Sequence, residues 1–206
     1  MLIAFCGIDG SGKTTQIKLM HDYLIKNNIE VFLTKQPTNF YRSYDRFRLY
    51  VNREIDVNSN IIYELALLSA ADKIRHYETE ILPNLDKIVI TDRYIYSAYT
   101  YFLARGINDI EWLSLINKKI PKPDIVFYID VPAKIALKRI VERDGKYTKK
   151  EETDYELLEK VRENFLTQPW GKNCDYYIID GTLSLEIVRE KIFKILREKM
   201  GGKICL

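Results

Sequence analysis

The chain has 206 residues, 47% hydrophobic and 30% charged, which suits a single globular domain with a sizeable core and excludes a disordered or fibrous protein. A balance of 32 basic against 29 acidic residues, net +3, is too even for a nucleic-acid-binding surface, so any anion bound here must be met by charges gathered locally. Cys6, Cys174 and Cys205 are an odd, widely spaced set that suggests neither a disulfide framework nor a zinc site. No basic segment precedes the apolar run at the amino terminus, and no apolar stretch nears the roughly 18 residues that span a bilayer. A cytoplasmic protein with reduced thiols and no membrane partner is expected.

Leu2 to Cys6 is a short apolar run that stops at glycine. From Lys13 the apolar residues Ile17, Leu19, Met20, Tyr23 and Leu24 recur at helical spacing, so strand, loop and helix follow in order. Asn27 and Asn28 end the helix, and Val31 to Leu33 form a second strand closed by Pro37. The arginine-rich stretch from Tyr41 to Asn52 reads as helical. Ser59 or Asn60 caps a long helical pattern, Ile61 to Leu82, that stops before Pro83. Lys87–Thr91, Asp124–Ile129 and Tyr176–Ile179 are further apolar strands separated by helical segments. Strands alternating with helices predict a parallel sheet of five strands covered on both faces, a three-layer α/β domain spanning residues 1–206.

Gly7-Ile8-Asp9-Gly10-Ser11-Gly12-Lys13-Thr14 satisfies the spacing G-x-x-x-x-G-K-[ST] between a predicted strand and a predicted helix, the context that motif requires. Glycines let backbone amides turn inward around phosphate oxygens, and the following helix adds its positive end. Residues Gly7 to Thr15 are therefore the expected ATP-binding set, with Lys13 reaching the β- and γ-phosphates and Thr14 ligating Mg2+. The loop alone also serves switches and motors.

Ile88 to Thr91 runs into Asp92, a carboxylate at the carboxyl edge of the sheet and the second expected magnesium ligand, through water. Arg93 follows as a bidentate phosphate donor. His21 and His76 sit in helical patterns as surface or packing residues, and no catalytic base stands out. Transfer to a phosphate acceptor needs none, because a phosphate monoester with a second pKa of about 6 already presents an ionised oxygen at neutral pH.

The run Phe5-Cys6-Gly7-Ile8-Asp9-Gly10-Ser11-Gly12-Lys13-Thr14-Thr15-Gln16 resembles the opening of the thymidylate kinase family. Leu67 to Lys73 with His76 is similar to that family's LLFAADR-x-x-H helix, and Asp92-Arg93-Tyr94 with Ser97 to its DRY-x-x-S segment. Pro123–Val131 and Tyr176–Gly181 resemble its fourth and last strands. The resemblance implies a P-loop kinase that phosphorylates dTMP with ATP and Mg2+, and a homodimer packed through helices that include Ile61–Leu82. It implies acceptor contacts from Asp9 (sugar hydroxyl), Arg93 (phosphate), Arg48, Tyr94, and Tyr101 near the sugar, and a lid over ATP at about 143–152. Arg143, Lys146, Lys149 and Lys150 are the lid cations it suggests for the transferred phosphate.

This sequence departs from the family pattern where Ser69 replaces a phenylalanine that stacks on the base and Lys73 replaces the arginine that contacts it. Thr34 to Thr38 replaces the usual T-R-E-P, and Cys6 stands where glutamate is common. A nucleoside-monophosphate kinase of relaxed base selectivity is the alternative these changes raise. A nucleotide-dependent switch without an acceptor is the alternative from another class.

Overall fold

The computed structural model describes residues 1–55, 58–145, 153–167 and 174–201. Lys146, Lys149 and Lys150, with most of the expected lid, and Cys205 lie outside the described residues.

Five strands, β1 (Leu2–Cys6), β2 (Val31–Lys35), β3 (Ile88–Asp92), β4 (Ile125–Asp130) and β5 (Asp175–Asp180), form one sheet in the order β2-β3-β1-β4-β5, with every neighbouring pair parallel. Helices join them: α1 (Lys13–Lys26), α2 (Asn39–Arg42), α3 (Asp45–Val51), α4 (Ser59–His76), α5 (Ile95–Ala104), α6 (Ile110–Ile116), α7 (Ala133–Asp144), α8 (Tyr155–Thr167) and α9 (Leu185–Lys199). The central strand β1 is buried throughout, and alternation sends its side chains into two cores. Ile3 and Phe5 join Met20, Leu24 and Ile192 of α1 and α9 on one face. Leu2, Ala4 and Cys6 join Leu65, Ile95 and Leu158 of α4, α5 and α8 on the other. The expected α/β sheet with helices on both faces is therefore present.

Several expected boundaries shift. The long helix is capped one residue before the expected pair, by Asn58, whose side chain accepts a bond of 3.1 Å from the Ile61 amide. Its regular α-helical part stops at His76; a wider turn (Tyr77–Ile81) and a tighter one (Leu82–Asn84) follow, because Pro83 has no amide to continue the ladder. The stretch from Tyr41 to Asn52 is two short helices, broken where Tyr44 turns extended, at φ −67° and ψ 121°. Strands β3, β4 and β5 each run one residue further than the sequence pattern suggests, ending on Asp92, Asp130 and Asp180. Those three carboxylates stand at the carboxyl edge of the sheet, where ligands of such folds collect.

Candidate active site

Past Cys6 the chain turns through the glycine-rich loop into α1. Gly12 precedes the helix at φ 95°, and Gly10 sits at φ 77°, where an added Cβ would stand 2.4 Å from the Ala136 carbonyl oxygen of α7. Only glycine lets the loop lie flat on α7 in that conformation. Lys13 folds back into this loop: its buried Nζ donates to the Ile8 carbonyl at 2.8 Å and to Ser11 Oγ at 3.4 Å. Burial pushes its pKa down to about 8, reinforced by Arg93 and opposed by Asp9 and Asp92. Thr14 and Thr15 are exposed on the first turn of α1, beside the amides that make a helix start attractive to anions.

The end of β3 meets this loop. The Arg93 amide donates to the Phe5 carbonyl at 2.8 Å, and the residue adopts φ 69°, a left-handed conformation that a non-glycine residue holds only where its surroundings enforce it. Its guanidinium donates to the Gly7 carbonyl at 3.0 Å and to Asp9 Oδ1 at 2.7 Å, and lies 5.2 Å from the centre of the Tyr101 ring. Tyr101 in turn donates to Asp9 Oδ2 at 3.2 Å. Burial alone would raise the Asp9 pKa; the charges of Arg93 and Lys13 outweigh it and hold the carboxyl well below its usual range. Neighbouring Asp92 has a buried Oδ1 without a hydrogen-bond partner, and its Oδ2 lies 4.0 Å from Lys35 Nζ.

From this junction opens a cavity of about 400 Å³. All seven acceptor-side residues expected from the sequence, Asp9, Arg48, Ser69, Lys73, Arg93, Tyr94 and Tyr101, line it. Its charged lining among the described residues is Lys35, Arg42, Arg48, Lys73, Arg93 and Arg105 against the single carboxylate of Asp9. A nearly neutral chain thus gathers its cations where an anion would sit. Arg48 is the loosest member, largely exposed and 3.7 Å from Asp45. Arg143 is not part of this lining: it bonds its neighbour Asp144 at the end of α7, at 2.6 Å and 2.5 Å.

Position 69 places a hydroxyl where the family pattern would put a ring. Lys73 Nζ donates to Ser69 Oγ at 2.5 Å and to the Ser69 carbonyl at 3.0 Å, a contact that the four-residue helical spacing makes natural. Nearby, His76 is completely buried and works as a polar brace, bonding Thr34 Oγ1 at 2.6 Å and Gln36 Nε2 at 3.0 Å. Burial lowers its pKa despite Glu80. Asp72 accepts from the Thr38 amide at 3.0 Å and from the Thr38 hydroxyl. These bonds fasten the loop after β2 to α4 and so fix one wall of the cavity.

Arg42, Phe47 and Arg105 line the cavity without having been singled out in the sequence, and Lys35 and Gln36 of the Thr34–Thr38 segment line it too. Arg105 stands one helical turn beyond Tyr101, a spacing that offered a signal. Arg162 offered none: it clasps Asp130 through Nε at 2.8 Å and Nη2 at 3.0 Å, tying α8 to the end of β4 across 32 residues.

The sequence model of the thymidylate kinase family matches residues 5–192. The chain belongs to the thymidylate kinase family. A protein named probable thymidylate kinase from Thermococcus kodakarensis is 38% identical over 98% of this chain and 99% of its own. Its namesake from Thermococcus onnurineus is 42% identical over 97% and 98%. A thymidylate kinase from the bacterium Sulfurihydrogenibium sp. is 35% identical over 96% and 97%. Among the described residues, no helix of this family member is long and apolar enough to cross a membrane.

Lys73 offers a direct check of the cavity's electrostatics. Burial pushes its pKa down from 10.5 to about 8, with Asp72 opposing. The unfolded chain therefore holds the proton between pH 8 and 10.5 while the folded chain releases it, and this group's contribution to stability rises with pH across that window. Denaturant titrations of the wild type and Lys73→Met should diverge in favour of the wild type between pH 8 and 10, by at most about 1.4 kcal/mol per pH unit. A constant difference would mean that Lys73 keeps an ordinary pKa.

Proposed function

We propose that this family member transfers the γ-phosphate of ATP to dTMP, giving ADP and dTDP. The observation that carries the reading is the junction itself: the phosphate loop opens directly, through Asp9 and Arg93, into a cation-lined cavity with room for a nucleotide. The loop amides and the start of α1 hold the donor phosphates. Lys13 exchanges the Ile8 carbonyl for β- and γ-phosphate oxygens. Arg93, fixed by Asp9 and the Gly7 carbonyl, directs its remaining donors at the acceptor phosphate, which attacks the γ-phosphorus in line without a protein base. Asp9 meets the sugar hydroxyl, Tyr101 packs beside the sugar, and Lys73 with Ser69 meets the base. On this reading the lid cations Arg143, Lys146 and Lys149 add charge over the transferred group.

The donor set also fits Mg2+. Asp92 brings a carboxylate oxygen that lacks a partner and Thr14 an exposed hydroxyl, both hard oxygen donors. Among the described residues no group of three His, Cys, Asp or Glu side chains is placed to cage an ion, so phosphates and water would complete the shell. Bound there, Mg2+ would neutralise charge on the donor phosphates. We propose a cytoplasmic location, in keeping with ATP and a nucleoside monophosphate as substrates.

A panel of dTMP, dUMP, dCMP, dGMP and dAMP with saturating ATP-Mg, followed as ADP release, tests the acceptor. The highest kcat/KM is expected for dTMP. Turnover of dCMP or dGMP at an equal or higher kcat/KM would favour relaxed selectivity, and slow ADP release indifferent to every acceptor would favour a switch.

The homodimer reading rests on α4, where Tyr63, Leu67 and Ile74 are 36%, 51% and 40% exposed along one helical side. This apolar stripe supports α4 as the association surface that the family resemblance implies. Sedimentation equilibrium is expected to return twice the chain mass for the wild type and a single chain for Leu67→Glu. An unchanged dimeric mass for the variant would remove α4 from the interface.

A further inference from the structure

The α4 side of the cavity presents donors, Ser69 and Lys73, and no ring. A planar base bound there still needs an apolar surface for its face, since stacking on a side chain is how proteins desolvate bases without reading their edges.

Among the described residues five aromatic side chains line the cavity: Tyr41, Phe47, Tyr94, Tyr101 and Phe102. Tyr41, Tyr94 and Phe102 are packed into the interior, 3%, 1% and 3% exposed, and have no face to offer. Tyr101 is taken by cations, with Arg93 at 5.2 Å and Arg105 at 5.3 Å from its ring centre. Phe47 is different. It is half-buried on α3, and its ring is backed by buried Tyr41, with centres 4.4 Å apart and planes inclined at 52°. Tyr41 belongs to α2, which packs on α4, so the backing is firm.

The position along the cavity is also right. Arg93 bonds Asp9 and the Gly7 carbonyl, which marks the phosphate end. Tyr41 lies in α2, whose N-cap residue Thr38 donates its amide to Asp72 at 3.0 Å, and Asp72 is the residue beside Lys73 on α4. The Tyr41–Phe47 pair is therefore tied to the part of α4 that carries Lys73 and Ser69.

We propose that Phe47, braced by Tyr41, is the surface on which the acceptor's base stacks, so that stacking comes from α3 and edge contacts from α4. The inference rests on the cavity being the acceptor site. Phe47 is then a specificity-determining residue that acts on the base and leaves the phosphate alone.

The test measures KM and kcat for dTMP at saturating ATP in Phe47→Tyr, Phe47→Leu and Phe47→Ala. It adds the inhibition constant of 2-deoxyribose 5-phosphate, which carries the phosphate and sugar without a base. Phe47→Tyr should match the wild type, while Phe47→Leu and Phe47→Ala should raise KM, the latter by roughly tenfold or more, with kcat within about threefold. The baseless inhibitor should bind all four proteins equally. A wild-type KM in Phe47→Leu would overturn the proposal, because an aliphatic wall would then suffice. A parallel loss of 2-deoxyribose 5-phosphate binding would also overturn it, since Phe47 would then be shaping α3. If the wild type ignores dTMP but turns over another monophosphate, the thymidylate assignment fails alone, and the same ratios measured with that acceptor still decide the role of Phe47.

Discussion

A carboxylate inside the phosphate loop and a guanidinium just past the neighbouring strand meet at 2.7 Å, and the geometry of both halves of the site follows from that contact. Asp9 sits between the first two glycines of the loop, and Arg93 sits one residue past β3. Their pairing, with the Arg93 bond to the Gly7 carbonyl, clamps the donor loop to the strand that carries Asp92. It also holds Arg93 at a left-handed φ that the residue would leave if released. Burial opposes ionisation of both groups, and each keeps its charge because the other is present. Removing either partner alone would strand a charge, which is far costlier than the pair is worth as a stabilising contact.

The same logic runs outward through the cavity. A chain of net charge +3 has no overall field to attract a nucleotide, yet its cavity gathers six basic side chains around one acid. They come from β2, from α2, α3 and α4, from the turn after β3 and from the residue after α5, and the His76 and Asp72 bonds hold the β2 side in register with α4. Lys13 and Lys73 are the two buried cations whose pKa falls to about 8. Each has been brought into the interior without a carboxylate within ion-pair distance among the described contacts. Both are consistent with side chains awaiting an anionic or carbonyl-bearing ligand.

Much of this was legible in the sequence for a physical reason. Strands buried on both faces must be apolar runs, so β1, β3 and β4 announce themselves, and the loop between β1 and α1 has a spacing that few other functions impose. Asp92 and Arg93 were readable because a carboxylate at the end of such a strand falls at the ligand-binding edge. Boundaries were harder. Asn58, Ser59 and Asn60 are all competent caps, and only the fold decides that Asn58 accepts the bond. The cavity wall was least legible: Phe47 and Arg42 carry no motif, and only the packing of α2 and α3 brings them to the cavity that Lys73 and Tyr101 line. Tyrosines show the same limit. Tyr94, Tyr96 and Tyr99 stand in one cluster with Tyr101, but the first three are buried while Tyr101 bonds Asp9. The Arg162 clasp on Asp130 left no trace in local pattern at all.

The central claim is that Arg93, locked by Asp9, is where the donor loop and the acceptor phosphate are joined. Steady-state kcat of Arg93→Lys with saturating ATP-Mg and dTMP, on protein shown by circular dichroism to be folded, tests it most directly. Lysine keeps the charge but cannot reach Gly7, Asp9 and a phosphate together, so kcat should fall roughly 100-fold or more. A kcat within a few-fold of the wild type would contradict the account.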